Sequence, residues 1–146
     1  MIWKNLLNFF NCFDPELSHN MAIWCLRIGL YPRIETPEIP IKIKKLVFKN
    51  PVGLAAGFDK NAMVIDQAYN LGFGFTEIGS VTPINQYGNK KPRIFRLKED
   101  NAIVNRNGFN NQGMLRIKNR LKSYRRNSRN NSFLKLGINT DLLQNL

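Results

Sequence analysis

Asn50-Pro-Val-Gly-Leu-Ala-Ala-Gly-Phe-Asp-Lys-Asn61 is the stretch from which the fold is read. Val52, Leu54, Ala55 and Ala56 form an apolar run without polar alternation, the pattern of a parallel strand covered on both faces. The run breaks at Gly57, and Phe58-Asp59-Lys60 precede a helical pattern expected from about Ala62. A strand that ends in small residues, a glycine and a charged pair reads as the ligand-facing end of a β/α unit. Small side chains there let a flat or phosphorylated ligand reach the backbone. The plainer alternative is a tight strand-to-helix turn with a solvated Asp-Lys pair.

Downstream, Gly72 and Gly74 bracket a turn, and Phe75–Gly79 reads as a second strand. Strand, helix, strand at this spacing is a βαβ unit, so the sheet is expected to be parallel. Residues 81–105 are too long for an ordinary βα loop and carry a pattern of their own, which marks a functional excursion. Within it, 93–97 and 102–105 are expected to pair. Met114, Ile117, Leu121 and Tyr124 follow at helical spacing, then a polar loop at 127–132 and a third strand at 133–139.

Upstream, Ile41–Phe48 reads as a short hairpin, and Pro32, Pro37 and Pro40 mark a linker that cannot be helical. Residues 2–10 place Ile2, Trp3, Leu6, Leu7, Phe9 and Phe10 mostly on one helical face. Asp14-Pro15-Glu16 is a helix start, with Asp as N-cap and Pro at the first helical position. Leu17, Met21, Trp24, Cys25 and Ile28 continue it, and Gly29 ends it. Neither helix reaches the ~20 apolar residues of a membrane span, and charged residues interrupt any signal-peptide core. Such a pair either covers a core or lies in a bilayer interface.

The chain has 146 residues, a hydrophobic content of 43% and a formal net charge of +12. The hydrophobic content excludes general disorder. Seven cations and no acid fall between Arg116 and Arg129. A solvated helix face explains that run; the alternative is a basic nucleic-acid-binding protein using residues 116–129. Cys12 and Cys25 lack metal-ligand spacing, no metal site is expected, and both read as reduced thiols in apolar surroundings.

EIGSVTP at 77–83, GNKKPRIFRLKED at 88–100 and NRNGFNNQG at 105–113, in order with the opening stretch, resemble the class 2, quinone-dependent dihydroorotate dehydrogenases. The resemblance covers roughly residues 10–115 and a short patch at 134–139. It implies an α/β fold, the N-terminal portion of a TIM (β/α)8 barrel, incomplete and preceded by a two-helix membrane-associating segment. Residues 1–36 would be the helical membrane and quinone-tunnel segment, and 37–146 the truncated barrel. A complete barrel typically needs about 250 residues.

The implied activity is oxidation of dihydroorotate to orotate via FMN, with a membrane quinone as acceptor, in pyrimidine (UMP) biosynthesis. By resemblance Ala56, Gly57, Phe58, Asp59, Lys60, Ser80 and Asn139 meet the flavin. Lys60 also reaches the substrate, with Asn105, Arg106, Asn107, Gly108 and Phe109. Asn107 replaces an apolar or aromatic residue usual in the family. His19, in DPELSHNMA at 14–22, and Arg96 would line the quinone tunnel. Implied too are peripheral contact with the cytoplasmic face of the cell membrane and no nucleic-acid partner. After Gly137-Ile138-Asn139 the resemblance stops. No catalytic residue is assigned within the chain, because the family's serine base belongs to a later loop. Little or no activity is therefore expected of these residues alone; a decayed gene product is the further alternative.

Overall fold

The computed structural model describes residues 2–127 and 136–140. Helices α1 (Ile2–Asn11) and α2 (Pro15–Arg27) come first, followed by the hairpin β1 (Ile41–Ile43) and β2 (Leu46–Phe48). The βα portion runs β3 (Gly53–Leu54), α3 (Ile65–Asn70) and β4 (Phe75–Val81). The excursion hairpin β5 (Ile94–Leu97) and β6 (Ala102–Asn105) follows, then α4 (Met114–Asn127) and β7 (Leu136–Thr140). Residues 128–132 of the expected polar loop, 133–135 of the expected third strand and the 141–146 tail lie outside the described residues.

Strands β3, β4 and β7 form one parallel sheet in the order β3-β4-β7. Helices α3 and α4 cover the sheet. Ile65, Ile117 and Ala62 pack with Ile78 and Val81 of β4, and Leu121 and Tyr124 close over them. The spacing of Ile117, Leu121 and Tyr124 thus builds one face of α4, whereas Met114 is exposed. The Tyr124 hydroxyl donates to Asp66 Oδ1 at 2.9 Å, joining α4 to α3.

The opening run departs from its expected burial. Only Gly53 and Leu54 are strand, Val52 is 59% exposed, and Ala55 is exposed as well. The reason is position: among the described residues β3 pairs with β4 alone, and α3 and α4 cluster on β4 rather than on β3. Asn50 sets this strand's start. Its Nδ2 donates to Gly72 O at 2.8 Å and its Oδ1 accepts from Val52 N at 2.9 Å. Gly74 lies so close that a Cβ there would meet Asn50 O at 2.2 Å, so the glycine is required.

Helix α3 begins at Ile65 rather than near Ala62. The Asp59 carboxylate takes the amides of Asn61, Met63 and Val64, and Ala62 sits at φ 56. Residues 61–64 therefore wrap one carboxylate before helical geometry starts. Strand β4 runs two residues past its expected end, to Val81.

The helical pair is capped as its sequence indicates. Asp14 Oδ1 accepts from Glu16 N at 2.9 Å and Leu17 N at 3.0 Å, with Pro15 opening α2. Gly29 at φ +82 follows its end. Arg96 of β5 holds the turn between the helices. Its guanidinium donates to Phe13 O at 2.6 Å, Phe10 O at 3.3 Å and Ser18 Oγ at 3.1 Å. A cation facing the carbonyls at a helix C-terminus is favourable on the helix dipole as well. Both cysteines are free, but Cys12 is exposed, with its thiol on Asn8 O at 3.3 Å, so the expected apolar setting does not hold for it.

Candidate functional site

Ligands of open α/β sheets and barrels sit at the C-terminal ends of the strands. The described residues put three such ends side by side: the 55–60 loop after β3, Gly79–Thr82 at the end of β4, and Asn139–Thr140 at the end of β7. The pairing register places Asn139 against Gly79. Gly57 N donates to Gly79 O at 2.9 Å, and Gly79 N donates to Asp59 O at 3.3 Å, so the loop is stitched to β4 beyond the end of β3.

The loop's side chains divide their tasks. Asp59 is 2% exposed, and its carboxylate accepts from Met63 N and Val64 N, both at 2.8 Å, and Asn61 N at 3.3 Å. Its carboxylate is thereby committed to the loop, and its carbonyl to Gly79 N. Lys60 is half-buried, with Nζ donating to Gly57 O at 2.7 Å. An ammonium has three N–H donors, so two remain for a ligand. Burial lowers the Lys60 pKa from 10.5, Glu16 opposes that, and Arg93 adds to it. Gly57 has φ +104, and a Cβ built on it would meet nothing within 4 Å. Open space thus flanks the backbone there, next to half-buried Ala56, Phe58 and Ser80.

Helix α2 reaches this loop. The His19 ring packs edge-on against Phe58, centroids 5.3 Å apart. Burial lowers the His19 pKa below 6.5, and the Lys60 charge lowers it further, against smaller opposing effects of Asp59 and Glu16. Three residues before His19, Glu16 takes Arg93 in a fork: Nη2 at 2.5 Å and Nε at 3.0 Å. Lys91 Nζ stands 3.3 Å from the same carboxylate. The Arg93 hydrogen bond chiefly lowers the Glu16 pKa, against a rise from burial.

The 105–113 loop forms a second shelf. Asn105 is exposed at the end of β6, and its Oδ1 accepts from Asn107 Nδ2 at 3.1 Å. Arg106 lies over the Phe95 ring at 5.8 Å and donates to Pro92 O at 3.1 Å. Gly108 has φ +69 and Phe109 has φ 51, a sharp reversal. Asn111 anchors it: Nδ2 donates to Phe109 O at 2.7 Å and to Thr82 Oγ1 at 2.8 Å, and Oδ1 accepts from Gly113 N at 2.8 Å. Asn61 Oδ1 accepts from Gln112 N at 2.9 Å, which ties this loop to the first. Arg120 completes the tie, donating to Asn61 O at 2.9 Å and Gln112 Oε1 at 2.5 Å. That cation of the basic run therefore serves the interior, whereas Arg116, Lys118 and Lys122 are exposed.

His19 and Arg96 have different surroundings. Arg96 lines an open cleft of about 820 Å³ between the α1–α2 turn and the β5–β6 hairpin, with Asn11, Asp14, Phe95 and Ile103. Neither His19 nor any of residues 56–60 lines that cleft. The residues that sequence reasoning missed are Glu16, Thr82, Arg93 and Asn111. Glu16 and Arg93 lie 77 positions apart, Thr82 and Asn111 29 apart, so no local spacing marks them. A buried charge or amide becomes visible only with its partner.

The residues fit a flavin. They supply a cation with spare donors, an open glycine edge and a hydroxyl, set at the C-terminal edge of a parallel sheet.

Residues 39–144 match the family described as Dihydroorotate dehydrogenase. The chain is similar to a dihydroorotate dehydrogenase (quinone) of Bartonella tribocorum, 51% identical over 80% of this chain and 35% of that protein. It is similar to the mitochondrial dihydroorotate dehydrogenase (quinone) of Mus musculus, 46% identical over 75% of this chain and 29% of that protein. The crystal structure of DHODH in complex with ferulenol from Eimeria tenella superposes with a TM-score of 0.81 at 45% identity, covering 88% of this chain and 36% of that one. The chain thus spans about a third of the length of the curated relatives it matches.

Proposed function

This chain belongs to the dihydroorotate dehydrogenase family, and from that premise we propose that it carries the flavin- and substrate-facing strand ends of a quinone-dependent enzyme. The enzyme would oxidise dihydroorotate to orotate in pyrimidine synthesis. The supporting observation is the meeting of the Gly57–Lys60 loop, Gly79-Ser80 and the Asn139 backbone at one sheet edge, with the 105–113 loop tied to it through Asn61.

FMN, when bound, accepts the electrons removed from the substrate. Ala56, Gly57, Phe58 and the Asp59 main chain would line its ring, with Ser80 and Asn139 beside it. The spare Lys60 donors would face both the ring edge and the substrate carboxylate, where a buried ammonium is worth more than in water. Asn105, Arg106, Asn107, Gly108 and Phe109 would receive the dihydropyrimidine ring. An Asn amide offers a donor and an acceptor to the ring's own amides. Water exclusion falls to α2, whose His19 lies against Phe58.

Residues 1–36 would be the bilayer- and quinone-facing segment and 37–146 the barrel portion. Leu6, Phe9, Leu17 and Trp24 of the helical pair are exposed. No helix among the described residues is long and apolar enough to cross a membrane. A peripheral dock on a bilayer, apolar side down, fits both facts, and the face proposed for it is the cytoplasmic one. His19 and Arg96 would then flank the route of the quinone.

The test is purification in excess FMN, followed by desalting and titration with orotate. Retained flavin whose visible spectrum shifts with orotate is the expected result. Loss of all flavin on desalting, together with no heat of orotate binding, would sink the assignment for these residues.

A further inference from the structure

We propose that Glu16 and Arg93 are a positioning pair, through which helix α2 fixes the main chain of residues 87–89 and, by way of Asn89, the Arg106–Asn107 segment. The proposal deepens the function proposed above and rests on it for the identity of the ligand.

The connection is continuous. Glu16 holds Arg93 by two bonds, Nη2 at 2.5 Å and Nε at 3.0 Å. The remaining terminal nitrogen, Nη1, donates to Tyr87 O at 2.6 Å and Asn89 O at 3.1 Å. Asn89 passes the constraint on: its N donates to Asn107 O at 3.0 Å and its Nδ2 to Arg106 O at 2.7 Å. Arg106 N returns to Arg93 O at 2.8 Å. The packing leaves little slack, because a Cβ on Gly88 would meet Asn107 O at 2.1 Å and one on Gly108 would meet Asn89 N at 2.9 Å.

The pair is more than surface charge. Arg93 is 6% exposed. A guanidinium brought this far from water is stranded when the Glu16 charge is removed, whereas Glu16 without Arg93 keeps Lys91 at 3.3 Å. The chemistry also demands arginine. One planar fork serves a carboxylate on one side and two carbonyls on the other; a lysine ammonium is a single point charge and cannot span both. Whatever shifts α2, including a bilayer under its apolar face or a ligand beside His19, therefore bears on the segment expected to receive the substrate.

Amide hydrogen exchange resolved by residue tests this on the intact chain, in the wild type, Glu16→Gln and Arg93→Lys. Glu16→Gln keeps the shape and one acceptor while removing the charge. The Asn89 and Arg106 amides should exchange roughly tenfold faster in Glu16→Gln, with Gly113 and Ile117 unchanged. Arg93→Lys, which keeps the charge, should fail to restore protection at Asn89. Acceleration confined to residues 15–20 overturns the proposal. So does uniform acceleration through Ile78 and Ile117, which would make the pair a general stabiliser. So does full protection of Asn89 in Arg93→Lys, which would make charge alone sufficient. Orotate is titrated in parallel: binding by the wild type, about tenfold weaker in Glu16→Gln, is expected. If the wild type binds no orotate, the function proposed above fails, and the exchange data alone judge the coupling.

Discussion

The two loops that meet at the sheet edge differ in where most of their bonds come from. Residues 57–64 are held from within, by one carboxylate at Asp59 gathering amides two, four and five positions ahead. Residues 105–113 have Asn111 as an anchor of their own but depend more on partners outside, Thr82, Asn89 and Arg93, and through Arg93 on Glu16 of another segment. A loop that caps itself depends less on its neighbours for its shape, even where, as here, Gly79 and Gln112 also bond it. A loop held by distant partners takes the position those partners give it. On the function proposed above, the first would hold a cofactor that stays and the second a substrate that comes and goes.

The sharpest way to break this contrast is Asp59→Ala. It leaves three inward amides without an acceptor, each costing on the order of 1 kcal/mol or more. The fold should lose about 3 kcal/mol in urea unfolding, and Asp59→Asn, with one acceptor oxygen left, about half that. A loss below about 1 kcal/mol for the alanine variant would show that the loop does not depend on its own carboxylate.

Asn111→Ala is the counterpart in the second loop. Asn111 is 4% exposed and serves Phe109, Thr82 and Gly113 at once. The expected cost is about 2 kcal/mol, because the freed Phe109 carbonyl belongs to an exposed residue and recovers water, while the Gly113 amide stays buried without its acceptor. Exchange should quicken at Gly113 and leave Met63 and Val64 untouched. Coupled quickening in both loops would mean that the Asn61–Gln112 bond joins them into one unit.

What the sequence disclosed follows the same division. The Asp14 N-cap with Pro15, both hairpins and the βαβ order were legible, because each is written in neighbouring residues. The placement of Gly57-Phe58-Asp59-Lys60 just past the end of β3 was legible for the same reason. The delayed start of α3 was not, since nothing in residues 61–64 announces a carboxylate turned inward from Asp59. The exposure of Val52 and Ala55 was not legible either. An apolar run states that burial is favourable, while the neighbours available decide whether it happens. The Glu16–Arg93 and Thr82–Asn111 contacts join separate segments, and a single sequence carries no signal for such pairs.

Lys60→Ala sharpens the functional side of the contrast. If the self-capped loop keeps the cofactor, losing the ammonium should weaken orotate and flavin binding each by roughly tenfold, about 1.4 kcal/mol. Stability should barely change, because Lys60 makes one bond to its own loop. Unaltered affinities for both ligands would remove Lys60 from the site and leave it a partner of Gly57 only.

The smallest effect lies where α2 touches the first loop. His19 is half-buried against Phe58, and burial and the Lys60 charge both hold its pKa below 6.5. In the unfolded chain the imidazole takes a proton as pH falls through about 6.5. In the folded chain the proton is taken only at lower pH. Between those two values the unfolded state binds more protons, so the stabilising contribution is complete above pH 6.5 and declines as pH falls toward the folded value. One proton limits the slope to about 1.4 kcal/mol per pH unit. Glu16, also lowered, adds its own decline as pH falls below the ordinary carboxylate value of 4.5. Urea unfolding at pH 7.5, 6.5 and 5.5 reads the first window. His19→Gln should flatten the curve there while leaving the decline below pH 4.5. A curve that stays steep in His19→Gln would place the titrating group elsewhere, and a stability that rises on acidification would mean that folding favours the imidazolium, contrary to its burial beside Lys60.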